Sequence, residues 1–261
     1  MGAVSVGRLL FALGFAAAGA IGLGAHDFVL SQQPVPQGIP LRETLATISG
    51  ALLLVMGIGL LVPRAAKVAA LVFTAYLALW VLALELPRAL AAPQVTGYWL
   101  GVGEDLTLAT GAWVIFCAMT GRNDETLRVA RILFGLALLP IGLSHFVYLQ
   151  ITVGFIPAWF PFRLFLAVFT GAAHIAAGLA LVFGLMPRLA ATLEAIMESL
   201  FTVFVWIPAV VNAPTKREDW VNLCISAALS AAAWAVAESF RREPWAFARG
   251  SHTNEGSTAL G

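Results

Sequence analysis

Charge is what this sequence lacks. Only 11% of its 261 residues are Asp, Glu, Lys or Arg, against 60% hydrophobic residues, and mean hydropathy is +0.89. A soluble domain is usually about a quarter charged, so too few charges are present to clothe a water-facing surface. A net charge of +1 without a basic cluster excludes the electrostatic footprint of a nucleic-acid binder. Cysteine is nearly missing too. Cys117 and Cys224 stand far apart, with no C-x-x-C, which removes the signature of thiol–disulfide exchange and of a cysteine-ligated metal. No metal is expected, and both thiols read as small packing residues.

What is present is a succession of long apolar runs. A membrane-crossing helix needs about 20 mainly apolar residues. Eight such runs are found, at 6–25, 43–62, 66–86, 99–119, 129–148, 163–185, 189–210 and 220–239. Prolines and polar residues punctuate the gaps, and the stretch from Arg241 is polar and reads as a disordered cytoplasmic tail, 241–261. Ten of the 15 Lys and Arg residues fall on the side that holds both termini. The positive-inside rule therefore places both termini in the cytoplasm and the chain in the cell membrane.

Shifting the sequence by 121 residues superposes its unusual positions. Pro36, Pro40 and Arg42 meet Pro157, Pro161 and Arg163. Pro87, Pro93, Trp99 and Trp113 meet Pro208, Pro214, Trp220 and Trp234. With small gaps, "VGRLLF" (6–11) meets "VARILF" (129–134), and "IGLGAH" (21–26) meets "IGLSH" (141–145). The expected fold is an all-α integral membrane protein whose eight helices form two parallel four-helix repeats, 1–120 and 121–240. An even number of spans per unit makes the units run the same way, about an axis along the membrane normal. Alternatively, each unit packs as its own bundle and the two meet like subunits of a dimer. The first span resembles a signal peptide, but its counterpart deep in the chain argues that it is retained.

Two groups of polar residues stand out. His145, Trp159 and Arg163 surround "FIPAWFPFR" (155–163) and are candidates for a pocket that takes a quinone ring or small anion. Anchoring of tryptophan at the interface and snorkelling of arginine also account for such residues. Deeper, His174, Glu194 and Glu198 are ionisable groups within apolar spans. Counting ten residues inward from Arg188 puts Glu198 about 15 Å deep, where a charge needs a partner or a cavity. The expected pair is His174–Glu198, serving a proton role or a structural hydrogen bond, with Glu194 hydrated toward the cytoplasm. Glu104 and Asp105 form a third acidic feature, with Arg42 or Arg88 available to neutralise Glu104. Because neighbours on a helix point about 100° apart, at most one of them need face the interior. Two carboxylates there give a weak metal signal, and a haem held between His26 and His145 is a further, weaker option.

The residues "IGLSHF", "FIPAWFPFRLFLAVFTGAAHIAAGLAL" and "MPRLAA" resemble the DoxX and DoxX-like family of small bacterial membrane proteins. Pro157, Trp159, Pro161, Gly171 and Gly178 match its IP-x-W-x-P and TG-x-x-x-x-x-x-G pattern. The match covers roughly 129–240, while the first half keeps only "VPQGIPLR" and "ISGALLLVMG", as in a tandem member. The resemblance implies four-helix membrane units and an association with quinone-linked redox chemistry, with a partner oxidoreductase subunit. It assigns no catalytic residues. The competing functions are a small-solute or proton-coupled transporter and a non-catalytic membrane scaffold.

Overall fold

The structure, a computed structural model, describes residues 5–29, 32–122 and 124–245. It is all-α among them. The helices are α1 (Val6–Ala25), α2 (Arg42–Leu61), α3 (Ala66–Trp80), α4 (Leu86–Ala91), α5 (Thr96–Thr120), α6 (Glu125–Val147), α7 (Leu149–Phe155), α8 (Arg163–Phe183), α9 (Pro187–Phe201), α10 (Ile207–Asn212) and α11 (Arg217–Ser239). Short π-helical segments, Val81–Glu85 and Thr202–Trp206, join α3 to α4 and α9 to α10 without a break. Eight of the resulting rods are long and apolar enough to cross a membrane. The protein is a multi-pass membrane protein.

The third span continues past Pro87 to Ala91, although a proline was expected to stop it. Proline lacks an N–H and its ring collides with the carbonyl four residues back. Here the preceding turn is π-wound, and Pro87 falls at the start of the next helical segment, where no donor is required. Pro208 follows the second π segment in the same way.

These irregularities recur at the 121-residue interval. Leu41 and Phe162 both precede a span with left-handed backbone, φ 57° and 55°, a conformation that costs an L-residue about 1–2 kcal/mol. The Trp99 indole donates to the Pro93 carbonyl at 3.0 Å, and Trp220 to Pro214 at 2.8 Å. α7 has no such counterpart among the described helices.

Packing is led by small residues, as expected where lipid supplies no hydrophobic drive between helices. α1 lies on α2 through Gly19 and Gly50, and α6 lies on α8 through Gly142 and Gly171. In each pair an added Cβ would meet the facing backbone oxygen at 2.6 Å. α1 also packs along α11, and α6 along α5. The most buried spans, α5 and α11, touch at Gly111 and Ala232. The first helix of each half therefore packs against the last helix of the other half, a crossover that the separate-bundle alternative does not contain.

Loops tie the halves at the end where α2 and α8 begin. The Asp27 carboxylate accepts from Arg42 at 2.5 Å and from Arg217 at 3.4 Å, and Arg217 also donates to the Phe28 carbonyl at 2.8 Å. Burial pushes the Asp27 carboxyl up, but the bonds from Arg42, the Phe28 amide and Arg217 outweigh it and hold it below its ordinary value. At the opposite end, Arg188 donates to the Glu243 carbonyl and lies over the Trp245 ring at 3.9 Å. Glu243 and Trp245, in the stretch expected to begin a disordered tail, thus contact Arg188 of α9; the remainder of that tail, 246–261, lies outside the described residues.

Candidate functional site

α8 and α9 form an antiparallel hairpin that turns at Gly184, φ 69°, and Met186, φ 45°. His174 and Glu194 stand at equal distances in sequence on either side of Gly184, so the hairpin register brings them to one level. The ring Nδ1 of His174 lies 2.8 Å from Glu194 Oε1, with both side chains at 1% exposure or less. The expected pairing was His174 with Glu198. Register decides otherwise: Glu198 is a full turn beyond the level of His174, and Glu194 is buried rather than hydrated. Glu198 still closes the group, since one ligand atom from each of His174, Glu194 and Glu198 lies within 4.8 Å of the others.

His145 joins them from α6. Its ring centroid is 5.2 Å from that of His174 at 68°, and its Nδ1 is 3.1 Å from Thr170 Oγ1 on α8. Phe201 packs against both imidazoles. From α5, Glu104 accepts a hydrogen bond from the Gln32 amide at 3.1 Å and lines the same cavity as Glu198. Neither Arg42 nor Arg88 neutralises Glu104; Arg42 pairs with Asp27 in the loop after α1, and Arg88 with Glu85 one turn earlier on its own span. Among the described residues no arginine or lysine pairs with Glu104, Glu194 or Glu198. Asp105 is fully buried, and neither of its carboxyl oxygens has a hydrogen-bond partner. Both neighbouring acids thus turn inward, Glu104 to a cavity and Asp105 into packed protein.

That cavity has a volume of about 1070 Å³. Its walls are apolar, from residues such as Phe155, Phe160, Ala177 and Trp206. Its polar lining includes Glu104, His145, Thr170, His174, Glu194 and Glu198. Trp159 and Arg163 do not line it. Trp159 is two-thirds exposed and stacks on Phe160 from outside at 4.2 Å. Arg163 donates to the Val153 carbonyl at 2.5 Å, fixing α7 to the start of α8. Of the first polar group only His145 faces the cavity, where it meets the second group. His26 caps α1 in solvent, 3.8 Å from Glu43, and is not among the cavity-lining residues.

The first half fills the corresponding space. Leu53, Phe73, Leu77 and Trp80 stand 121 positions before His174, Glu194, Glu198 and Phe201, and all four are buried. Phe73 and Trp80 pack on Phe15 at 4.9 and 6.4 Å. Ser49, at the place of Thr170, is bonded at 2.9 Å to the Gln33 amide, which also reaches Tyr76 at 3.3 Å.

Sequence reasoning missed the hydroxyl ladder that joins the end of α9 and the following π segment to α11. Ser199 meets Ser230 and Thr202 meets Ser226, each at 2.8 Å, and the Trp234 indole donates to Ser199 at 3.0 Å. The signal was there: hydroxyls at i, i+3 on one span and i, i+4 on the other.

A multi-pass α-helical membrane protein that keeps a histidine–carboxylate cluster at the side of a large apolar cavity is the class that fold and site define. Comparison with protein-family models, with curated proteins and with solved structures returned no match for this chain.

Proposed function

We propose that this chain is a quinone-linked membrane subunit, which takes the head group of a lipid-soluble quinone into the cavity between α6, α8 and α9. The observation that carries the reading is the cavity itself. It is large enough for a quinone ring with the first part of its tail, apolar along its length, and furnished at one side with His145, Thr170 and His174, groups that can bond the ring oxygens. The DoxX-like motif residues, Pro157 to Gly178, lie on the segment that builds its wall. Any redox role requires electrons from a partner oxidoreductase; these residues would bind the ring and supply or accept its protons.

The supporting organisation is a pair of four-helix units related by an axis between α5 and α11, with both termini on the cytoplasmic side by charge bias. The crossover of α1 onto α11 and of α6 onto α5 favours one exchanged assembly over two separate bundles.

The test uses purified full-length protein. A lipid extract is analysed for quinone, and a short-chain quinone is titrated while tryptophan fluorescence is followed, Trp206 being in the wall. Saturable quenching is expected, weakened at least about tenfold by Ala177→Phe, which fills the cavity, and by His145→Ala. Quinone-free protein without saturable quenching refutes the reading.

A further inference from the structure

We propose that His174, Glu194 and Glu198 form a binding site for a divalent first-row transition-metal ion, open on one side to the cavity. Three observations converge. First, the ligand atoms are already gathered: one from each side chain lies within 4.8 Å of the other two. Around a single ion with bonds of about 2.0–2.2 Å, such atoms stand roughly 3–3.5 Å apart, so small rotamer changes complete the contraction. All three side chains come from one hairpin whose register is fixed by the turn at Gly184.

Second, bonding capacity is left over inside the protein. Glu194 Oε2 and His174 Nε2 are buried without hydrogen-bond partners, although Glu194 and His174 are 1% and 0% exposed. An unmet carboxylate oxygen and an unmet ring nitrogen in one place are costly. An ion on the Nδ1 side of the ring, where Glu194 lies, takes up the spare carboxylate oxygen and leaves Nε2 free to bond an occupant of the cavity.

Third, nothing basic balances the acids. The groups beside the cluster are His145 from α6, Thr170 from α8, Phe201 from α9 and Glu104 from α5 across the cavity. The only described cationic partner is the imidazole itself, if protonated. Carboxylates in a low-dielectric interior need protons or a cation, and one divalent ion neutralises both. A nitrogen and two carboxylates suit Mn²⁺, Fe²⁺ or Zn²⁺ better than Cu⁺ or Ca²⁺. Because the cluster borders the cavity, the remaining coordination position faces whatever the cavity holds. His145, with its ring 5.2 Å away, is placed to bond that occupant or to become a fourth ligand.

The inference stands apart from the quinone reading and is tested without quinone. The full chain carries four histidines; replacing His26 and His252 by alanine leaves His145 and His174 as its only imidazoles. That protein, purified in detergent and stripped with a chelator, is titrated with Co²⁺ alone and then with Zn²⁺ in competition. We expect one Co²⁺ per chain, visible d–d absorption and displacement by Zn²⁺. Glu198→Gln and His174→Gln each weaken binding at least about tenfold, while the exposed Glu43→Gln leaves it unchanged. Should both core variants fail to fold, bound Mn²⁺ in the parent must show imidazole nitrogen coupling by pulsed paramagnetic resonance. No saturable Co²⁺ or Zn²⁺ binding to millimolar concentration, unchanged binding in a folded His174→Gln, or Mn²⁺ without nitrogen coupling overturns the proposal. Quinone binding is read by its own assay, so either idea can fail alone.

Discussion

Gly111 and Ala232 are 121 positions apart and touch where α5 crosses α11, so exchanging their residues probes the relation between the halves. A Cβ added to Gly111 lands 2.3 Å from the Ala232 Cβ and 2.8 Å from its Cα, well inside the 3.5–4.0 Å of a comfortable carbon contact. The obstacle is backbone and a methyl group, neither of which can rotate away. The helices must therefore part by about 1 Å, loosening the most buried seam of the protein. Overpacking of this kind costs roughly 1–3 kcal/mol, and the better helix propensity of alanine returns at most about 1 kcal/mol. Gly111→Ala alone should destabilise by about 1–2 kcal/mol, and Ala232→Gly alone by about 1 kcal/mol for lost propensity and contact. The double exchange, Gly111→Ala with Ala232→Gly, should return to within about 0.5 kcal/mol of the parent if the two positions are interchangeable across an axis. The readout is thermal unfolding of the four proteins in one detergent, where 1 kcal/mol moves Tm by about 2–4 °C. A coupling energy near zero, with the double variant as unstable as the sum of the singles, would falsify the two-unit reading at its centre.

Two further outcomes are expected. Because the folded Asp27 carboxyl titrates below its ordinary value, its contribution is fully present above the unfolded value of about 3.9 and fades as pH falls through the lower folded one. Asp27→Asn should therefore lower Tm at neutral pH and flatten its acid-side decline; an unaltered decline below pH 4 refutes this role. If the carboxyls of Glu104, Glu194 and Glu198 instead serve proton-coupled transport, liposomes should show a pH-driven flux that Glu198→Gln abolishes, and flux indifferent to that substitution rejects the transport reading.

The spans were legible because apolar length is a property of the sequence alone, and depth followed from counting residues along them. Partnership was harder to read. Glu198 was paired with His174 on a depth counted inward from Arg188, a reference point on one helix of the hairpin only. The turn at Gly184 is one shared origin, and from it Glu194 is the equidistant residue. Arg163 and Trp159 stand beside His145 in the sequence of loops, yet α7 (Leu149–Phe155), unforeseen because its apolar run merges with the preceding span, takes Arg163 for its own last turn. Long side chains at loop ends have several acceptors in reach, and the sequence does not rank them. Asp105 was read as one of two acids that need not both turn inward. The inward orientation of both came from the position of α5, most of which is buried inside the protein.

Comparing the halves shows what the polar cluster needs from its surroundings. At Leu53, Phe73, Leu77 and Trp80 the first half uses large, mainly apolar side chains that belong to one buried core, in which Phe73 and Trp80 pack on Phe15. Apolar residues at these positions therefore pack the hairpin soundly, so the fold does not require His174, Glu194 and Glu198. Each ionisable group at such depth costs several kcal/mol unless compensated, and replacing buried ion pairs by apolar residues is often neutral or stabilising. Structural duty alone accounts poorly for a second half that holds three such groups beside an open cavity, with leftover bonding capacity, when its own first half supplies the apolar solution. The polar version is intelligible if the cluster binds something, and the seats of Ser49 and Thr170 make the same point in miniature. The Ser49 hydroxyl is bonded to Gln33 from the adjoining loop, sealing its site, whereas Thr170 holds an imidazole at the cavity wall.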